Sequence, residues 1–260
     1  MDLALKHPLA FVPTMGALHA GHQSLIELAR TKATNVLVSI FVNPLQFENP
    51  DDLAKYPRTL DVDRTLAEAA GATQIWAPTV EEIYPSDPDI ISAGELGNKF
   101  EGVHRFGHFD GVLTVVKRLF HLTQPEIAVF GEKDFQQLFL IKRMVTELEL
   151  PIRIMSAPII RESDGLAMSS RNIRLDFEAR ASATIISTAL SESATEKNLT
   201  KARAKLHKVL ATEPAFAIDY AEIIDEDTFE IATEETAKPR ALVAGWLGGV
   251  RLIDNMAVLR

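Results

Sequence analysis

The sequence predicts an α/β protein in which a doubly wound parallel sheet precedes a smaller α+β domain. Three observations predict it. Short apolar runs alternate with helix-patterned stretches as far as Met155, as strands covered on both faces and their crossover helices do. The connections are short, which favours successive β-then-α units. From about Arg161 the order changes to a polar loop, one long helical stretch and then strands, so we expect domains at 1–160 and 161–260.

Each element follows from its local pattern. Leu9 to Pro13 (LAFVP) reads as the first strand, and Gln23 to Ala33 as a helix with Leu25, Ile26 and Ala29 on one face. Asn35 to Val42 (NVLVSIFV) is apolar without alternation, as a strand buried on both faces must be. Thr59 to Ala70 is helical and stops at Gly71, a C′ glycine, before the strand Gln74 to Ala77. His108 to Leu122 sets Phe109, Val112, Leu113, Val116, Leu119 and Phe120 at helical spacing; Pro125 ends it ahead of the strand Glu126 to Phe130. Phe135 to Leu148 is a helix and Ile152 to Met155 a strand. Beyond the boundary, Phe177 to Thr212 is Ala-, Ser- and Lys-rich and helical, with strands at Ile218 to Ile224, Ala241 to Leu247 and Val250 to Asp254.

Composition removes whole classes of function. A chain of 260 residues, 47% hydrophobic and 24% charged, hides about 70 to 75% of the surface its unfolded form exposes and needs no covalent staple. It has no cysteine, which excludes disulfides, thiolate metal sites and cysteine nucleophiles. Lys and Arg number 27 against 36 Asp and Glu, a net charge of −9 that argues against a nucleic-acid partner. The start MDLALKHPLAFVPT lacks the basic region, unbroken apolar core and cleavage site of a signal peptide, and no run of 18 apolar residues offers a membrane span. A cytoplasmic protein with neither a membrane nor a nucleic-acid partner is expected.

In open α/β sheets ligands sit beyond the carboxyl ends of the strands, and the polar outliers fall there. Thr14 to His22 (TMGALHAGH) follows the first strand, Asn43 to Phe47 (NPLQF) the second and Gly131 to Gln137 (GEKDFQQ) the fourth; one pocket is expected to collect all three. His19 and His22, at a helix entrance flanked by Gly16 and Gly21, suit a polyphosphate facing the N-terminal amides, or simply decorate a helix start. A helical zinc pair favours i, i+4 spacing with a neighbouring Glu, and has neither here. Lys133 stands where a cation reaches phosphate, or where a loop lysine is merely solvated. Asp134 reads as a cap for the next helix, or as a group that positions nucleotide-bound Mg²⁺. Gln46 and Gln137 carry both donors and an acceptor, as groups that read hydroxyls or carboxylates do. Met168-Ser169-Ser170-Arg171-Asn172 offers two hydroxyls and a guanidinium, for phosphoryl oxygens or as a helix-entry turn with a capping serine. Gly102 and Gly107 lack the Lys and Ser/Thr of a P-loop, and neither G-x-G-x-x-G nor G-x-S-x-G is present.

In combination, PTMGALHAGH (Pro13 to His22), FVNPLQF (Phe41 to Phe47), YPRT (Tyr56 to Thr59), GHFDGVLTVV (Gly107 to Val116), GEKDFQQL (Gly131 to Leu138) and DGLAMSSRN (Asp164 to Asn172) resemble the pantothenate synthetase (pantoate:β-alanine ligase) family. The likeness continues to RLIDN (Arg251 to Asn255), nearly the whole chain. The resemblance implies a Rossmann-like N-terminal domain of the HxGH nucleotidyltransferase type that binds ATP and pantoate, a smaller C-terminal lid domain, and a homodimer. It implies an AMP-forming ligase in which (R)-pantoate attacks the α-phosphorus of ATP-Mg²⁺, pyrophosphate leaves, and β-alanine then displaces AMP from pantoyl adenylate. By the same likeness Met15, Gly16, Ala17, Leu18, His19, Ala20, Gly21, His22, Gly131, Glu132, Lys133, Asp134, Ile160, Met168, Ser169, Ser170 and Arg171 bind ATP, with His22, His19 and Lys133 catalytic. Gln46 and Gln137 hold pantoate, and Gln46 lies near the β-alanine position too. Val62 and Asp63 stand where relatives can carry more acidic residues, so no metal ligand is assigned. Two other readings are a nucleotidyltransferase acting on a phosphate or alcohol and a non-catalytic ATP-binding regulator; the glutamines of FVNPLQF and GEKDFQQ favour the ligase.

Overall fold

The structure is a computed structural model and describes residues 4–48 and 50–258. Contacts divide the chain into two compact units, one running to Glu132 and including Gln136–Pro158, the other made of Lys133–Phe135 and the residues from Ile159 onward.

The first unit holds β1 (Leu9–Thr14), α1 (Ala20–Arg30), β2 (Asn35–Ile40), α2 (Pro50–Lys55), α3 (Leu60–Ala69), β3 (Gln74–Trp76), α4 (Val80–Ile83), α5 (Glu101–His104), α6 (His108–Thr123), β4 (Ile127–Gly131), most of α7 (Phe135–Glu147) and β5 (Arg153–Ala157). Its five strands form one sheet in the order β3-β2-β1-β4-β5, every neighbouring pair parallel. This is the expected doubly wound sheet. Its strands read as unbroken apolar runs because both faces are covered: Ala10, Phe11, Val12, Leu37 and Val38 are inaccessible to solvent. Ala10, Val12, Val36, Val38 and Val129 pack with Leu25, Ile26 and Ala29 of α1 and Ala67 of α3. Phe11 meets Phe120 of α6 edge to face, and Phe120 meets Phe130 likewise.

The strand order reverses at β1, where β2 and β3 lie on one side and β4 and β5 on the other. The β1–β2 ladder runs from Leu9 to Thr14, whereas the β1–β4 ladder pairs only Ala10 with Ile127 and Phe11 with Ala128. Two residues later stands Pro13, which has no N–H to give. The carboxyl ends of β1 and β4 are therefore not paired with each other at the switch point, the usual place for a ligand in such sheets.

The second unit contains α8 (Phe177–Ser182), α9 (Ile185–Ala194), α10 (Leu199–Leu210) and the antiparallel strands β6 (Ala217–Asp225), β7 (Pro239–Leu247) and β8 (Val250–Ala257), in the order β6-β7-β8. Ile186, Leu190, Leu199, Leu206, Ile223, Val243 and Leu252 form its core. The single helical stretch expected from Phe177 to Thr212 is three helices. Asp176 accepts from Ala179 N–H to start one and Asn198 from Lys201 N–H to start the last, and such side chains compete with a continuing helix. Among the described residues no helix is long and apolar enough to cross a membrane.

One close approach links helix and loop at the site. Within α6, a Cβ at Gly111 would lie 2.3 Å from the carbonyl oxygen of Leu45, so the Pro44–Gln46 turn sits directly on the helix backbone. Gly111→Ala is expected to lower the unfolding free energy in urea by about 1 to 3 kcal/mol through overpacking; a variant as stable as the parent would show that the contact relaxes without cost.

Candidate active site

The loop after β1 turns on two residues in the left-handed region, Gly16 (φ +86°) and Ala17 (φ +52°). Thr14 Oγ1 donates to Ser39 O at 2.7 Å and accepts from Gly16 N–H at 3.3 Å, which ties the start of the turn to β2. Asp63 holds its far side: Oδ2 accepts from Ala17 N–H at 3.1 Å and Oδ1 from Leu18 N–H at 2.7 Å. A Cβ at residue 16 would stand 3.0 Å from Asp63 Oδ2, so space and φ both demand glycine there. Holding Ala17 left-handed costs about 1 to 2 kcal/mol, and a hydrogen bond to a charged acceptor contributes about 1.5 to 3 kcal/mol. The two bonds outweigh the strain.

The turn delivers His19, extended at φ −141° and ψ 178°, as the N-cap of α1. Gly21 N–H donates to His19 Nδ1 at 3.1 Å, and His19 N–H donates to His22 Nδ1 at 3.3 Å, a reciprocal cap in which imidazole nitrogens replace the usual oxygens. The rings lie 4.2 Å apart between centroids. A ring nitrogen that accepts is unprotonated, so the neutral tautomer that serves both bonds carries its hydrogen on Nε2. Decorating the helix start and binding an anion are thus compatible: Nδ1 completes the cap, and Nε2–H is a donor.

After β2, Asn43 organises the loop. Its Nδ2 donates to Gln46 Oε1 at 3.2 Å and to Gly111 O at 3.0 Å, while its Oδ1 accepts from Leu45 N–H and from the Tyr84 hydroxyl. Burial pushes the Tyr84 hydroxyl far above its ordinary pKa, so it stays a donor. With Oε1 engaged, Gln46 presents its Nε2 donors from a buried position. His108 Nδ1 donates to Gln46 O at 3.0 Å, since a carbonyl can only accept.

After β4, the adjacent glutamines of GEKDFQQ divide their work. Gln136 is buried and fully engaged, accepting from Glu101 N–H and donating to Leu96 O and Lys99 O. Gln137, half-buried one position on, makes no side-chain hydrogen bond among the described residues. Glu132–Asp134 form a 3-10 turn that runs straight into α7.

The remaining expected residues fall in the second unit, where Lys133, Ser169 and Arg171 line one cavity with Arg251 and Asp254. Asn255 Nδ2 donates to Lys133 O at 3.0 Å and its Oδ1 accepts from Arg240 Nη1. Arg240 also stands 4.1 Å over the Phe135 ring, which stacks on Phe229. Asp254 is buried with a bidentate Arg161, at 2.6 and 3.0 Å; burial pushes its carboxyl above the usual range against the pull of that guanidinium. Ile160 O accepts from Met168 N–H, and Ser169 Oγ accepts from Arg171 N–H as the N-cap of the 3-10 turn Ser170–Arg174. Ser169 is thus a capping serine, one of the two roles the sequence offers for this motif.

In the first unit a cleft of about 450 Å³ opens beyond β1, β2 and β3, with Met15, Gly16, Phe41, Pro44, Arg58 and Thr59 among its walls. It takes residues of the first two post-strand loops but none of 131–137, so the three expected loops do not share it. The YPRT motif supplies Arg58 and Thr59 instead. The sequence assigns no role to Asp63, Asn43, Gln136 or Asn255, each of which has at least one partner distant in sequence. Among the described residues no group of three or more His, Asp or Glu is placed to hold a metal ion.

Sheet order and switch point define a Rossmann-like, doubly wound α/β protein. The pantoate-beta-alanine ligase family model matches residues 2–257. Pantothenate synthetase of Acidothermus cellulolyticus is 49% identical over 262 residues, covering 97% of this chain and 86% of that protein. The crystal structure of pantothenate synthetase from Thermus thermophilus superposes with a TM-score of 0.92 at 42% identity, over 97% of this chain and 94% of that one. Pantoate-beta-alanine ligase of Francisella tularensis, complexed with beta-gamma ATP and beta-alanine, gives 0.75 at 35% identity, over 95% and 88%. The chain belongs to the pantoate-β-alanine ligase family, as its motifs led us to expect.

The histidine cap has a measurable consequence. His19→Ala is expected to lower unfolding free energy by about 1 kcal/mol, and His19→Asn, which keeps an acceptor, to retain most of it. Nitrogen chemical shifts should report Nε2–H tautomers for His19 and His22. Nδ1–H tautomers in both rings would remove the cap.

Proposed function

We propose that this chain condenses (R)-pantoate with β-alanine to pantothenate at the expense of ATP, through a pantoyl-adenylate intermediate. The observation that carries the reading is the entrance of α1 at the β1/β4 switch point, with Nε2–H donors on His19 and His22. The Francisella relative with beta-gamma ATP and beta-alanine bound supports it. A pantoate carboxylate oxygen attacks the α-phosphorus of ATP-Mg²⁺, and the bond to the β-phosphate oxygen breaks to release pyrophosphate. The β-alanine amine then attacks the acyl carbon, loses a proton, and AMP leaves. Neither step needs a covalent enzyme nucleophile, because the substrate carboxylate is one already. The protein's tasks are orientation and donors where charge accumulates.

In this reading Met15–His22, Gly131–Asp134, Ile160 and Met168–Arg171 hold ATP. His22, His19 and Lys133 stabilise the departing pyrophosphate, and Gln46 and Gln137 hold pantoate. Mg²⁺ arrives on the nucleotide phosphates, as it commonly does. A homodimer in the cytoplasm completes the proposal, on the strength of the family resemblance.

Incubation with ATP, Mg²⁺, pantoate and β-alanine should yield AMP and pyrophosphate, and pyrophosphate should appear from ATP only when pantoate is present. Formation of ADP would replace adenylation with an acyl-phosphate route.

The adjacent glutamines separate binding from architecture. Gln137→Ala is expected to raise the KM for pantoate about 5- to 150-fold, the equivalent of about 1 to 3 kcal/mol for a partner left unpaired, with folding and the KM for ATP little changed. Unaltered pantoate kinetics would take Gln137 out of the site.

A further inference from the structure

We propose that Asp63 is a positioning residue for the first half-reaction: it locks the Gly16–Leu18 turn in the left-handed form that aims the His19/His22 helix entrance. The proposed mechanism makes no use of this carboxylate, although it is 1% exposed in the first turn of α3. Among the described residues it pairs with no Lys, Arg or His. Its partners are the Ala17 and Leu18 N–H groups and the Thr59 hydroxyl, which lies 3.2 Å from each oxygen. Three donors converge on one buried anion, and two of them come from the turn.

The turn cannot hold itself. Ala17 has no reason of its own to sit at φ +52°, a region that alanine avoids and glycine accepts. Asp63 supplies the reason by accepting from Ala17 N–H and from the next amide, so the backbone is fixed on both sides of the strained residue. Leu18 N–H is used up by the same carboxylate, and the following residue, His19, becomes the cap. Asparagine cannot substitute. Its single oxygen would serve one amide while its NH₂ faced the other N–H.

The proposal rests on the reading of this loop as the ATP holder, so the test has two arms. In the first, hydrogen exchange followed by NMR should find the Ala17 and Leu18 amides protected in the parent. In Asp63→Asn they should exchange at least tenfold faster, with other amides of the sheet unchanged. In the second, pantoate-dependent pyrophosphate release by Asp63→Asn should fall 10- to 100-fold in kcat. Adding Ala17→Gly should recover several-fold of that loss, since glycine holds the same φ without help. Normal protection and normal kcat in Asp63→Asn would overturn the proposal, and so would a loss that follows the folded fraction by circular dichroism and is not rescued by Ala17→Gly. If the parent releases no pyrophosphate, the functional reading fails and the exchange arm still decides whether Asp63 locks the turn.

Discussion

The pairing of β1 is the constraint from which the site follows. The strand lies between two parallel neighbours, bonded to β2 along its whole length and to β4 only at Ala10 and Phe11. A parallel sheet needs helical crossovers to bring each strand back, and at β1 those crossovers change direction. One edge of β1 thus remains zipped to its end while the other opens early. Thr14, whose hydroxyl binds Ser39 O, is the last residue governed by the zipped edge. The chain must turn there, and α1 must begin beside the end of β4, where Leu25 packs close to Gly131.

An acidic chain can still gather hydrogen-bond donors in one place, because local groups dominate there. The chain carries a net charge of −9, whereas backbone N–H groups and two imidazoles meet at the entrance of α1. The polar side chains of these loops differ in how far they are engaged. Asn43 and Gln136 commit both amide donors and their oxygens to backbone and neighbouring side chains, and Asn255 donates to Lys133 O and accepts from Arg240. Among the described residues, the Gln46 Nε2 group and the Gln137 side-chain amide make no hydrogen bond.

Much of this was legible because the signals are local. Fully apolar strands, the helix periodicity of α6 and the glycine end of α3 need no partner to be read, and the motif series carried the family. What escaped was set by distance or by unusual chemistry. α1 begins at Ala20 and not Gln23 because a histidine caps it, a residue outside the usual capping set. Asp63 looks like any acid in a first helical turn; its partners lie 45 and 46 residues upstream. Asn255 meets Lys133 across 122 residues. The helices α2, α4 and α5 are 6, 4 and 4 residues long, too short for a 3.6-residue period to declare itself.

The Lys133–Phe135 segment gives the chain an uncommon lineage of parts. Flanked on both sides by residues of the first unit, it belongs by its contacts to the second, where Phe135 stacks with Phe229 and carries Arg240 over its ring. The polypeptide therefore passes from one unit to the other three times, after Glu132, after Phe135 and after Pro158. No single cut yields two self-sufficient pieces: a fragment starting at Ile159 would present an aromatic seat with nothing in it and an asparagine amide that had lost its carbonyl. In genetic terms the C-terminal unit is not a portable module. Its inheritance is bound to three residues encoded far upstream, one of which is the lysine expected to face the phosphates.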